Sequence, residues 1–573
     1  MDLESIGRAI RRYFSIRELV DYVAMVSRYN RIQGSSDLER AATFIASQLE
    51  ELDLKVEIRR YSYSSRYGIL PPVAGWDLVY GEVSMVKPRR ETIHSTTTCS
   101  TVVVAHSPPG TVEAPTIFLG EVRNERDLEG IDVSNKIVIA SGNTSIVYRL
   151  VQKHGAVGLV LYRSSAHEEA VPYLGLFPKP DDVPNMRIPA VAMSRKWVDK
   201  IRRMIDRGEE VVLRIVVEAR YRSDAAIPVV VAKIGSGRRE LHVVAHLCHP
   251  AHTVNDNVSG VATVLELARS IARAVRRKEL EEPSETALTF VFFPEFYGSV
   301  AYLSTRDRTG IELCVNLDMV GEKQEDTDST LRFVASPSFA RSRIEALVFR
   351  EVFRELSSHS GLGEATKFLG CRFDIVPYEG GSDHDAYLAF GIPAVMLNQW
   401  PDKYYHSHLD NVSRFDPSIA SRVGIAVGRA LMGYAHGVIG EEELEKCFRY
   451  YEMLLESSTM LRAPARRAEV SEEMKLEERF GIKVPPSVVT LRYFAEKLSE
   501  EEYVKLVEEL DKDEVLKFLV VRYVPLVLWW KKTASVKDII ELFEKDYGWR
   551  IDVGKIRKAL EILRNVDIVE RVA

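Results

Sequence analysis

The chain has 573 residues, 46% hydrophobic and 28% charged, with a formal net charge of −6. That length is too great for one ordinary core and predicts roughly two to four domains. The charge balance gives no electrostatic case for a nucleic-acid or anionic-membrane protein, and no apolar run is long enough to span a bilayer. The 5 cysteines are scattered without a CxxC pair, which argues against a disulfide framework. The start, MDLESIGRAIRRYF, has no apolar h-region, so the expectation is a protein of the reducing cytoplasm.

Amphipathic spacing predicts helices over 16–29 and 36–52, with Gln33-Gly34-Ser35-Ser36 supplying the turn and N-cap between them. LKVEIRRYSY, from Leu54, alternates like a strand, and a Pro/Gly patch at 70–76 marks a break. Residues 81–222 then change texture: STVVVAH, APTIFLG, NKIVIAS, AVGLVLYR and IPAVAMS read as short strands, with helices over 145–154 and 195–207. DVSNKIVIASG, HGAVGLVLYRS and RIPAVAMS, in that order, resemble the protease-associated domain, a small β-rich insert. The first part of the main domain is then 1–80 and its larger part 223–440.

Residues 223–440 alternate strands and helices, the pattern of an α/β layer fold. Residues 441–512 are helical and highly charged and are expected to link to the last unit, 513–573. There, helices over 535–546 and 553–564 precede the strand VDIVERVA, the order of a winged helix-turn-helix.

The stretch LHVVAHLCHPAHTVNDNVSGVATVLELARSI places His246, His249, His252 and Asp256 between a strand and a helix. Ligands in open α/β sheets bind at such carboxyl ends, and imidazole with carboxylate suits zinc or a related ion. A polar loop whose histidines meet solvent is the plain alternative. Glu295 follows the apolar run LTFVFF, Asp318 ends CVNLD, Asp383 and His384 follow a double glycine, and YYHSHLD offers His406, His408 and Asp410. Taken singly, such acids often cap helices or face water. Their repeated placement after strands makes one site the stronger reading.

These residues carry a resemblance. The order His246, NDNVSG with Asp256, Glu295, NLDM with Asp318, SDH at 382–384 and Tyr405-His406 is similar to the zinc aminopeptidases of the co-catalytic metallopeptidase family that includes glutamate carboxypeptidase and glutaminyl cyclase. Two positions depart from it. His-x-Asp becomes His246-Leu247-Cys248-His249, and the Glu pair becomes Pro294-Glu295. The HLCHP and PE-x-x-GS forms resemble an aminopeptidase-like branch whose members often end in a winged helix. The implied fold is a zinc-exopeptidase-like mixed sheet flanked by helices, with the β-rich insert and the terminal winged helix.

The implied activity is zinc-dependent hydrolysis of peptide or related amide bonds, aminopeptidase-like, with one or two Zn²⁺ ions and Co²⁺ or Mn²⁺ as substitutes. The metal set is Asp256, Asp318 and His406 with His246, His249 or both. Glu295 is general base or ligand, and Asp383 and His384 are the other groups for proton transfer. The rival reading is a weak or inactive metal- or peptide-binding scaffold whose winged helix contacts protein or nucleic acid. The last unit is nearly charge-balanced, so protein contact stands at least level with DNA. A homo-oligomer and no membrane partner complete the expectations, and the tail is expected to serve assembly rather than hydrolysis.

Overall fold

The computed structural model describes residues 1–357, 359–360, 367–462 and 476–572. In chain order the strands are β1 (Lys55–Ser62), β2 (Gly75–Lys87), β3 (Glu91–Ser95), β4 (Gly110–Glu121), β5 (Ile137–Ser141), β6 (Gly158–Leu161), β7 (Ala190–Ala192), β8 (Val212–Arg222), β9 (Ala226–Ile234), β10 (Arg239–His246), β11 (Thr286–Phe293), β12 (Ile311–Leu317), β13 (Thr330–Val334), β14 (His359–Ser360), β15 (Lys367–Phe368), β16 (Phe373–Val376), β17 (Ala394–Trp400), β18 (Arg479–Ile482), β19 (Thr533–Ser535) and β20 (Val569–Val572).

Strands buried on both faces read as near-continuous apolar runs, and β10, β11, β12 and β17 are buried over most of their length. They lie side by side and parallel at the centre of an 8-stranded sheet ordered β1-β9-β11-β10-β12-β17-β13-β16. The edge pairs β1–β9, β9–β11 and β13–β17 are antiparallel, so the sheet is mixed. The helix Gly260–Arg276 packs on it almost wholly buried. Its first residue has to be glycine: a Cβ at Gly260 would stand 2.2 Å from the Leu317 carbonyl oxygen at the end of β12.

The chain leaves this sheet after β1 and returns at β9, and β1 pairs with β9 from Lys55↔Lys233 to Ser62↔Ala226. Between them runs a 7-stranded sheet, β3-β2-β8-β4-β5-β6-β7. Its entry strand β2 and exit strand β8 pair antiparallel from Gly75↔Arg222, so the inserted unit begins at Gly75, before the residue 81 read from the sequence. STVVVAH forms no strand. It is mostly buried, and its strand-type pairing is confined to isolated bridges, Val103↔Val191 and Ala105↔Gly175.

The terminal unit is built on a 3-stranded sheet, β19-β18-β20. Its middle strand, β18, comes from within the stretch expected to be a helical linker. Helices Val536–Tyr547 and Val553–Asn565 lie between β19 and β20. Lys555 and Lys558 on the second helix are engaged by Asp513 and Glu509. No helix of the described residues is long and apolar enough to cross a membrane.

Candidate metal centre

The carboxyl ends of the four parallel strands converge. His246 ends β10, Glu295 follows β11, Asp318 follows β12, and His406 lies beyond β17. The turn after β10 carries His249 and Asp256 into the same place. Asp256 divides its two oxygens. Oδ1 is 3.1 Å from His246 Nε2, while Oδ2 is 3.3 Å from His249 Nε2 and 3.1 Å from His406 Nε2. Asp318 Oδ1 lies 3.2 Å from His246 Nε2, and the Nε2 atoms of His249 and His406 are 3.1 Å apart. Two donor groups share Asp256, His246–Asp256–Asp318 and His249–Asp256–His406, and a third, His246–Cys248–His249, joins the two histidines through the thiol; in each the ligand atoms lie within 4.8 Å of one another.

The donor set fits a metal. Imidazole nitrogens and carboxylate oxygens converge within reach of one point, which is the donor chemistry of zinc. The two histidines left as alternatives by the sequence both point inward, to different oxygens of the shared Asp256. His249 Nδ1 is 2.7 Å from the Cys248 carbonyl oxygen. With its proton there, Nε2 presents a lone pair to the centre, as a metal-ligating histidine requires. For His246 the absent acid is replaced by a thiol: Cys248 Sγ lies 3.7 Å from Nδ1.

Burial and mutual charge govern the electrostatics of these groups. Burial opposes protonation of His246, but the Asp318 and Asp256 carboxylates hold its pKa well above the usual imidazole value. Burial takes His249 down to about 3. Asp256, despite its burial, is held well below the carboxylate range by His249, His246 and His406. The opposite holds for Glu295, which burial and then the carboxylates of Asp383, Asp318 and Asp256 push well above the usual range.

Loop backbone is fixed by groups outside the donor set. Asp410 Oδ1 accepts from the amides of Val254 (3.2 Å) and Asn255 (2.7 Å), and Oδ2 from Asp256 (3.0 Å). Asn257 Oδ1 accepts from Gly260 and Met319, and its amide donates to Leu317 O, which stitches the ends of β10 and β12 together. Arg31, fully buried and pushed down to about 10 by that burial, donates to the carbonyls of Val26, Tyr29, Leu247 and Thr253. His249, Phe296, Met319 and His406 all have positive φ, strain of the sort that gathers at functional sites.

Glu295 is partly exposed beside this centre and belongs to none of the donor groups, which leaves it free to act on a proton. Asp383 and His384, expected among the catalytic groups, are buried beside the Glu295 turn and make backbone contacts. Asp383 Oδ1 accepts from the Phe296 amide (2.8 Å) and the Ser299 hydroxyl, so this carboxyl holds the turn behind Glu295. His384 is buried with Nε2 2.8 Å from Glu379 O. Both follow β16 in sequence, and of the two Asp383 reaches the turn after Glu295. His252 and His408 also lie outside the donor set; His408 Nδ1 accepts from the Val171 amide of the inserted unit at 3.1 Å.

The sequence reading missed Tyr173. It belongs to the inserted unit, yet its ring lies edge-on to His249 (centroids 5.3 Å) and His406 (5.4 Å), and its amide donates to His406 O at 2.7 Å. Tyr405 stacks on the other side of His406 at 3.8 Å. No sequence signal marks Tyr173, since its partners lie far along the chain. Asp410 carried the signal of the YYHSHLD stretch, without its role.

The family model that describes peptidase family M28 matches residues 229–431. No curated protein matches the chain. Among solved structures the fold is similar to a peptidase M28 precursor of Shewanella amazonensis, at 17% identity over 76% of this chain and 96% of that one, with a TM-score of 0.54. A zinc aminopeptidase of Bacillus subtilis is similar at 17% identity, covering 73% of this chain and 94% of its own, with a TM-score of 0.51. A protein of Clostridium acetobutylicum is similar over 100% of both chains at 14% identity, with a TM-score of 0.51. The match to the model of peptidase family M28, over residues 229–431, falls on the α/β unit that holds the candidate centre.

Proposed function

We propose that the protein is a zinc-dependent exopeptidase of aminopeptidase-like type, hydrolysing peptide or related amide bonds with two metal ions. The observation that carries this reading is the division of the Asp256 carboxylate between two donor groups, beside a carboxyl that neither group uses. Zinc held there would polarise the scissile carbonyl and make the attacking water more acidic.

The chain's own residues do the rest. His246 and Asp318 hold one side, His249 and His406 the other, and Asp256 spans them. His249 fills the ligand place that a second glutamate would take, and Glu295 is thereby left as general base. One Glu295 oxygen receives the water's proton and passes it to the departing amine, which leaves neutral. Tyr173 and the inserted unit, read here as protease-associated, cover the His249–His406 side. Such a cover suits an enzyme that takes the end of a chain rather than its middle. With Lys555 and Lys558 already engaged inside the terminal unit, that unit offers less to nucleic acid than to protein.

The test uses a panel of unblocked and N-blocked aminoacyl amides with zinc-loaded protein. Turnover of the unblocked set, lost on chelation and restored by Zn²⁺, is expected. Glu295→Gln should keep wild-type metal content and lower kcat by about 10² to 10⁴ with little change in KM. A rate that climbs back as zinc is added to that variant would make Glu295 a ligand. Metal binding with no turnover of any amide would leave a scaffold in place of an enzyme.

A further inference from the structure

Glu295 stands on a short turn, and two arginines from the C-terminal part of the chain grip the residues that follow it. Arg522, from the helical stretch that precedes β19, lies with its guanidinium carbon 5.6 Å from the centroid of the Phe296 ring. Its Nε is 3.0 Å from Asp385 Oδ2. Arg492, from the helix Leu491–Lys497, donates to the Tyr297 hydroxyl and, at 3.0 Å, to Pro72 O.

Asp385 is the odd residue of the SDHD run. It is 5% exposed and joins three things: the Gly381 amide (2.9 Å), the Tyr378 hydroxyl (2.8 Å) and Arg522. The helix that bears Asp385 begins beside Asp383, whose carboxyl holds the Phe296 amide. The path from Arg522 to the base is thus doubled, through Phe296 directly and through Asp385 to Asp383. The double glycine is part of the same fit, because a Cβ at Gly380 would stand 2.5 Å from Arg522 Cδ. The Trp530 indole donates to Leu388 O at 2.6 Å and the Tyr547 hydroxyl to Tyr378 O at 2.8 Å, so the terminal unit grips this segment at several points.

We propose that Arg522 is a positioning residue for hydrolysis, holding Phe296 and Asp385 so that Glu295 faces the metal centre, and that the C-terminal unit is thereby a structural wall of the active site. The proposal rests on Glu295 as base. A guanidinium suits the role because it stacks on an aromatic face and pairs with a carboxylate at once, which an ammonium does only in part.

The experiment compares full-length, zinc-loaded wild type with Arg522→Met, Arg522→Lys and Asp385→Asn. Metal content, kcat, KM and amide hydrogen exchange of peptides spanning 294–299 and 246–260 are measured. Arg522→Met should keep its metal, lose about 10- to 100-fold in kcat, the usual effect of removing an outer partner, and keep KM. Its 294–299 amides should exchange faster while 246–260 stay protected. Arg522→Lys should recover part of both losses, and Asp385→Asn should fall between wild type and Arg522→Met. Unchanged exchange over 294–299 in Arg522→Met overturns the proposal, as does unchanged kcat in a wild type that turns over substrate. Should wild type hydrolyse no amide, the catalytic reading fails, and exchange over 294–299 still decides whether Arg522 holds the turn. Should Arg522→Met not fold, Asp385→Asn carries the same two readouts.

Discussion

The ligand side and the base side of the candidate centre are built by different means. On the ligand side, His246, His249, Asp256, Asp318 and His406 sit at strand ends within one sheet, and their mutual distances of 3.1 to 3.3 Å follow from the order of those strands. On the base side, Glu295 is placed by a turn whose supports, Asp383, Asp385, Arg492 and Arg522, come from distant parts of the chain. Donor groups can thus be brought together by the sheet itself, while the carboxyl proposed to move a proton is held by packing from outside it.

Breaking the ligand side should have the largest effect. Asp256→Ala removes the one carboxylate common to both donor groups. Both metals and all hydrolysis above background should be lost together, checked by elemental analysis and rate on the same sample. Survival of one metal at full occupancy would mean that the carboxylate is not shared.

Cys248→Ala probes a smaller asymmetry. The thiol is the only side-chain partner that His246 Nδ1 has among the described residues. Its removal should weaken zinc binding by about 10- to 100-fold, as loss of an outer partner does, with kcat at saturating zinc near wild type. Zinc titration measures this.

The ligand side was legible in the sequence because each donor ends or follows an apolar run, so the carboxyl-end rule places His246, Asp256, Asp318 and Glu295 together. His249 was legible as a ligand type but not as a second site, since nothing in HLCHP states that two imidazoles point to different oxygens of one aspartate. The layers were legible too: apolar β10, β11, β12 and β17 against amphipathic helices. Tyr173, Arg31 and Arg522 were not, because each acts across a long stretch of chain and looks in sequence like any tyrosine or arginine. Asp383 was legible as an acid near the site, but its hold on the Phe296 amide was not, because the two lie far apart in the chain.

The smallest expected effect concerns the acids beneath the Asp256 loop. Burial raises Asp410 to about 7, and burial with Asp402 and Asp410 nearby raises Glu322 to about 10. Both values lie above those of the unfolded chain, near 4. Their contribution to stability is therefore full at acid pH and is lost as pH rises, through about 7 for Asp410 and about 10 for Glu322. Metal-free protein should melt at a lower temperature at pH 9 than at pH 5. Glu322→Gln, which mimics the protonated acid, should raise the metal-free Tm at pH 9 by about 2 to 4 °C and leave it unchanged at pH 5. Equal Tm values for the two proteins at both pH values would show that Glu322 is not held protonated.

The two-site reading of Asp256 is tested most directly by counting metal. Wild type, His246→Ala and His249→Ala are each saturated with zinc, freed of excess by gel filtration and measured by elemental analysis per mole of chain. Two zinc ions in wild type and one in each variant are expected, since each histidine serves a different donor group. One ion in wild type, with none in either variant, would contradict the account.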